Sequence, residues 1–298
     1  MSTLIAILVD GAIYGSWLFL VAAGLTLVFG VMKILNIAHG NLYAIGAYVA
    51  ASALGYWFAQ RPPDASAFLI QLGAAIVAGV VLGLLMEAAV LRWLHGRDEV
   101  SIALATYAVL LILDDVIHFI WGTTPQSAMA PYGLLGGSVI GGLRFNNYEF
   151  LVMGVAVTSG ALLWWLLTRS STGRRITAVI HDRDMAAAMG INVRRIHLGT
   201  FVAGACMGAL GGAFTAPMIQ VAPGMGAEVI VVTFAVVVIG GMGSIPGAAV
   251  GAAVVGLARA CAVHLYPAAE VFIVYAVMAV VLAVRPSGLF PQAAVRKI

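Results

Sequence analysis

Hydrophobic positions along this chain neither alternate nor recur at helical spacing. They run on, stretch after stretch, with short polar interruptions. A helix needs about 20 apolar residues to cross about 30 Å of hydrocarbon. Runs of that kind lie at 4–32, 40–59, 67–94, 101–121, 149–168, 197–221, 246–265 and 270–284, with a shorter one at 229–241. Strands of a membrane barrel alternate over about ten residues, so the pattern predicts an all-α polytopic transmembrane bundle of 8–9 spans. It forms a single membrane domain over 1–298. Two junctions resemble each other, "FGVMKILNIAHGNLYAIGAYVA" and "IGGMGSIPGAAVGAAVVGLA". Each is an apolar helix, a polar or Pro/Gly break and a glycine-rich helix, the mark of interrupted segments and an internal repeat.

Composition agrees. Of 298 residues, 62% are hydrophobic and 9% charged, against about 25% charged in a soluble domain. Mean hydropathy is +1.05. No basic n-region opens the chain, so the first run is expected to be a retained span rather than a signal peptide. The net charge of +3 matters through its placement. Arg92 and Arg97, then Arg169, Arg174, Arg175, Arg183, Arg194 and Arg195 in the 169–197 connection, then Arg285, Arg296 and Lys297, all fall on one side. The opposite connections, 60–66 and 122–148, carry only Arg61 and Arg144. The positive-inside rule puts the N-terminus outside and the C-terminus in the cytoplasm. This distribution accounts for the basic charge without nucleic acid, for which no patch or aromatic platform exists.

Chemistry is sparse. Backbone groups left unpaired in lipid cost several kcal/mol each, so the break at 33–41 belongs to a water interface or a polar cavity. Asn36, His39 and Asn41 could bond its freed amides and carbonyls and line a translocation pathway; a plain interfacial turn anchored by Lys33 would look the same. Gly204, Gly208 and Gly212 recur every fourth residue, as do Gly243, Gly247 and Gly251, with shorter pairs at Gly11/Gly15 and Gly79/Gly83. Such faces let helices approach closely, inside the bundle or against another chain. In the 169–197 loop, Asp182 and Asp184 precede "MAAAMG". Acids suit a helix start, and the short helix would show a small flat face (Ala186, Ala187, Gly190) fit for a partner's groove. Ionisable residues within spans are Asp10, Glu87, Asp114, Asp115, His118 and Arg259. Glu87 could pair with Arg92, and a structural ion pair suits Asp10 and Arg259. Cys206 and Cys261 sit in apolar runs as packing residues, without a disulfide or metal framework. No phosphate-binding P-loop occurs, nor a zinc-protease or nucleophile-elbow motif.

Taken together, "GLTLVFGVMKILNIAHGNLYAIGAYVA", "DMAAAMGINVRRI", "VVVIGGMGSIPGAAVGA" and "RPSGLF" resemble the branched-chain amino-acid (Liv-type) ABC transporter permeases, in the shorter of their two forms. The likeness runs from Gly11 to Phe290. It implies an importer subunit that has no enzyme activity and binds no cofactor, working with a longer (LivM-like) permease as a heterodimer. Two separate ATPase subunits would use ATP, and a periplasmic binding protein would deliver branched-chain amino acids across a bacterial inner membrane. Relatives of this kind also serve urea, short amides and small organic acids. The E-A-A-x-x-x-G coupling loop of importer permeases maps onto Asp184, Met185, Ala186, Ala187 and Gly190, with Asp for Glu and Met for the first Ala. The pathway would take Asn36, His39 and Asn41, opposed by Gly240, Gly241, Gly243 and Gly247. Pro291 departs from the usual "GLFG", and Arg259 stands where an acid is expected. An ion-coupled secondary transporter complete in one chain, or a channel, remains the alternative from another class.

Overall fold

A computed structural model describes residues 2–59, 61–94 and 96–290. Pro291, Arg296 and Lys297 lie outside the described residues. Twelve helices and one hairpin follow in order: α1 (Ser2–Met32), α2 (His39–Phe58), α3 (Ser66–Leu94), α4 (Glu99–Trp121), α5 (Ala130–Leu134), β1 (Gly137–Ile140), β2 (Leu143–Asn146), α6 (Asn147–Arg169), α7 (Ser171–His181), α8 (Arg183–Ala188), α9 (Val193–Thr215), α10 (Met225–Gly240), α11 (Ile245–Leu265) and α12 (Glu270–Val284). Among the described residues, seven helices are long and apolar enough to cross a membrane, α12 being counted with the turn before it as Pro267–Val284, and α10 is a shorter apolar one. The remaining long helix, α2, spans 20 residues, about 30 Å at 1.5 Å per residue.

The chain is thus the expected all-α bundle, and it is a multi-pass membrane protein. Some boundaries shift. The run read as 197–221 is helical from Val193 to Thr215, and its tail turns back to pair Val221 with Gln126 of the 122–148 connection. That connection is an ordered cap, made of α5 and the antiparallel β1–β2 hairpin. The third run is continuous but widens into a π-turn at Glu87–Leu91.

Glycine explains how the helices meet. Gly204, Gly208 and Gly212 of α9 lie against Gly24 and Val28 of α1, His39 and Leu42, and the backbone of Tyr43 in α2. Gly79 and Gly83 of α3 lie on the other side of α9, against Cys206 and Val202. Gly11 and Gly15 of α1 face Gly256, Leu257 and Ala252 of α11. These faces are therefore spent inside the chain. Gly243 precedes α11 instead of sharing its face, which begins at Gly247 against Gly240. The core forms where α1, α2 and α9 converge, around Leu18, Leu20, Leu25, Leu42, Tyr43 and Phe201, all buried.

Candidate transport site

At the break between α1 and α2 the chain leaves helical geometry for Lys33–Ala38, with Lys33 at φ 56°. Part of its backbone is satisfied by a residue the sequence did not single out. The buried Thr106 hydroxyl of α4 donates to the Leu35 carbonyl (3.2 Å) and accepts from the Ile37 amide (3.2 Å). Asn36, His39 and Asn41 are all buried, but they do not repair the break. His39 Nε2 donates to the Val21 carbonyl of α1 at 3.0 Å, with its ring seated on Gly24 and Gly208. Asn41 Nδ2 donates to the Leu110 carbonyl of α4 at 2.6 Å, and its carbonyl oxygen abuts Gly226. Neither side-chain polar atom of Asn36 has a hydrogen-bond partner. His39 and Asn41 sit between helices, where glycines leave room for them, and none of the three side chains lines the polar cavity near the 122–148 connection.

The second break is tighter. Gly241–Ser244 turns α10 into α11, with the Ser244 hydroxyl accepting from the Gly247 amide (3.1 Å) as a helix cap. Gly240 and Gly247 touch backbone to backbone, and Gly288 packs on Gly241. The Leu289 and Phe290 amides donate to the Ile239 and Gly240 carbonyls (2.9 Å each). The terminal "SGLF" thereby satisfies carbonyls that the end of α10 leaves unpaired.

A polar cavity of about 560 Å3 opens at the end of the bundle that carries the 122–148 cap. Tyr14 and Trp17 of α1 stand edge to face on one wall at 5.0 Å, and Trp17 reaches Tyr43 at 6.0 Å. The Tyr43 and Thr215 hydroxyls are hydrogen-bonded at 2.7 Å. Tyr132 donates to Glu149 at 2.7 Å; burial and that bond push its hydroxyl up to about 12. Glu228 also lines the cavity, and Arg259 does so at one side. The Asp10–Arg259 ion pair expected from sequence does not form. Arg259 instead pairs with Glu270 and stacks on Tyr14 at 4.1 Å, while His264 donates to Asp10 at 2.6 Å. An arginine prefers the planar carboxylate and ring that α12 and α1 bring to it. The cavity thus offers an aromatic wall, carboxylates and one guanidinium, chemistry suited to a small polar solute with an apolar part.

A model of the family described as "Branched-chain amino acid transport system / permease component" matches residues 7–282. The chain belongs to that family. The permease is 27% identical over 298 residues to "High-affinity branched-chain amino acid transport system permease protein BraD" of Pseudomonas aeruginosa, covering 98% of this chain and 97% of that one. The LivH permease protein of Escherichia coli K12 is 27% identical over 97% of this chain and 96% of its own. A "probable branched-chain amino acid transport permease protein LivH" of Methanocaldococcus jannaschii is 26% identical, covering 95% and 91%. A solved structure, "PsaBC from Streptococcus pneumoniae in complex with Fab", aligns with 93% of this chain at 14% identity and a TM-score of 0.49, a likeness too weak to build on.

On the permease's other end, α7 and α8 form the 169–197 connection. Asp182 caps α8 by accepting from the Met185 amide (2.9 Å). Gly190, at φ 82°, ends it in a left-handed turn that only glycine adopts without strain. There the Gly190 amide donates to Ala187 and the Ile191 amide to Ala186, 3.0 Å each. Ala186 is buried, so the outer face of α8 is not the small flat one expected. It presents Met185 and Met189, 61% and 77% exposed, with Asp184, Ala187 and Gly190 beside them. Glu87 makes no hydrogen bond to Arg92, which lies on Trp93 at 4.6 Å. Asp114 accepts from the Gly224 amide (3.3 Å) and lies 3.8 Å from His118. Several residues that build the cavity were not legible as site residues. Tyr14, Trp17, Tyr43 and Thr215 read as ordinary span content; the spacing of Tyr14 and Trp17 on one face of α1 was the only signal.

Proposed function

We propose that this permease is the shorter membrane subunit of an ABC importer of branched-chain amino acids. The observation that carries this is the family match over residues 7–282, with named relatives of nearly the same length. A longer permease subunit pairs with it, two ATPase subunits dock from the cytoplasm, and a periplasmic binding protein delivers the solute. ATP is used by those partners, and this chain binds no cofactor. The basic 169–197 segment is cytoplasmic, the N-terminus outside and the C-terminus inside, in a bacterial inner membrane.

The solute enters by the polar, aromatic-walled cavity, which on this orientation opens outward. Affinity resides in the binding protein, so the cavity needs only weak contacts and a change of access. His39 and Asn41 hold the α1–α2 break against α1 and α4 behind it. Gly240, Gly241, Gly243 and Gly247 form the matching turn that bends when access changes. The face of α8 (Asp184, Met185, Ala187, Gly190), set by the buried Ala186, receives the ATPase. A methionine surface suits docking because its unbranched thioether adapts to a groove.

The test is affinity purification from native membranes, then transport by the recovered complex in proteoliposomes. Recovery of a P-loop ATPase and a second permease, with ATP-dependent uptake of leucine and not of urea, is expected. Uptake by this chain alone, driven by an ion gradient, would overturn the proposal.

A further inference from the structure

Glu87 is 4% exposed, and neither carboxylate oxygen has a hydrogen-bond partner. Burying a carboxylate without donors is expensive, and such an orphan calls for an explanation. It sits in the π-turn of α3, a local widening of the helix that often accompanies functional sites. Glu87 lines a pocket of about 400 Å3 together with Arg92, Trp93, Arg183, Arg194 and His197. Three elements meet there: α3, the first residue of α8, and the start of α9. No arginine is within ion-pair distance of Glu87 among the described residues. One buried acid and three guanidinium groups thus share one small space, with the Arg194 charge acting on Glu87 from beyond ion-pair distance.

That arrangement selects its ligand. A simple anion would meet the carboxylate, and a simple cation would meet the arginines. We propose that this pocket binds a small zwitterion, a primary ammonium joined to a carboxylate or phosphate, with Glu87 taking the ammonium and Arg183 and Arg194 the anion. Two sources carry that chemistry: the ethanolamine headgroup of a membrane lipid, and a free amino acid. Trp93 is 67% exposed with Arg92 stacked on it, a pairing suited to the headgroup level, so either source has access. The bound zwitterion ties α3 to the first turn of α8. On the proposed function, which this last step rests on, occupancy restrains the segment that receives the ATPase.

The full-length permease in phosphatidylcholine nanodiscs tests this in two arms. In the first, phosphatidylethanolamine is added and the retained lipid is counted by native mass spectrometry; in the second, free leucine is titrated and thermal stability followed. We expect wild type to retain the ethanolamine lipid over phosphatidylcholine, or to be stabilised by leucine. Glu87→Gln and Arg194→Gln should each weaken that response about tenfold, the loss of one charge-assisted hydrogen bond. Glu87→Gln removes an unpaired charge and should fold at least as well as wild type. A lipid-only response assigns the pocket to a headgroup, a leucine-only response to a solute, and both to the shared chemistry. No preference in wild type, or a preference that survives both substitutions, overturns the proposal. Leucine binding that survives Glu87→Gln belongs to the transport cavity, so failure here leaves the proposed function standing, and co-purification tests that separately.

Discussion

Replacing Gly212 with alanine adds one methyl group to α9, and the structure says what it would strike. The new carbon would strike the Tyr43 carbonyl oxygen first, and would lie 2.8 Å from the Tyr43 carbonyl carbon and 2.9 Å from the Ala47 nitrogen of α2. Both are backbone atoms, so no rotamer change can make room. Carbon contacts are comfortable near 3.5–4.0 Å, and the clash with the Tyr43 carbonyl oxygen is the tightest, so α2 must retreat by about 1–1.5 Å along this seam. Even a gap of about 0.5–1 Å forfeits about a quarter to a half of each contact's well depth. Overpacking of this kind costs about 1–3 kcal/mol. The control lies on the same helix: a methyl at Gly199 would meet nothing within 4 Å. Helix propensity favours alanine over glycine by about 0.5–1 kcal/mol, so Gly199→Ala should be neutral or stabilising. Denaturant titration of the two variants in one detergent, read by tryptophan fluorescence, compares them directly. Gly212→Ala as stable as wild type, or Gly199→Ala less stable than Gly212→Ala, would refute the close-packed seam.

Asn41→Ala removes the bond to the Leu110 carbonyl; bonds between membrane helices are worth about 0.6 kcal/mol, at most about 1.7, and a loss in that range is expected in the same titration. Asp98 caps α4 by accepting from the Ser101 amide (2.9 Å) and hydroxyl (2.8 Å), which hold its carboxyl below the usual aspartate range. Its contribution is therefore full above about pH 3.9 and is lost as pH falls through the lower folded value, so the stability gap between wild type and Asp98→Ala should close in acid. A gap that persists there contradicts the cap. Tyr132 should titrate near 12 in the absorbance difference between wild type and Tyr132→Phe, and Glu149→Gln should move it toward the ordinary tyrosine range. Met189→Asp should cut ATPase recovery about tenfold, about 1.4 kcal/mol, without lowering the melting temperature; unchanged recovery removes α8 from that interface.

Helix count and the glycine seams were legible because bilayer thickness and close approach impose patterns along the chain itself. Gly11/Gly15 and Gly204/Gly208/Gly212 announce faces, although nothing local says which helix each face meets. Partner choice was the illegible part. Arg259 took Glu270 and Tyr14 rather than Asp10, because α12 folds back beside α11, a fact of tertiary arrangement. Thr106 repairs a break about 70 residues away, and a threonine inside an apolar run gives no notice of that. Ala186 turned inward because α8 is short and caps itself through Asp182 and Gly190, which fixes its rotation about its own axis. The cavity is built from aromatic residues of separate helices, and convergence of that kind leaves no mark in any one stretch.

The seam between α1 and α11 also sets an order of events at birth. Gly11 and Gly15 are made first, and their partners Ala252 and Gly256 come about 240 residues later. At about 5–20 residues per second the ribosome needs roughly 10–50 s to deliver them. Through that interval the first helix stands in the membrane with its closest-packing face turned to lipid. Acyl chains or an insertion chaperone must occupy that face and then give it up. A chain truncated anywhere before α11 keeps a permanently unsealed first helix, a shape that quality-control proteases can recognise.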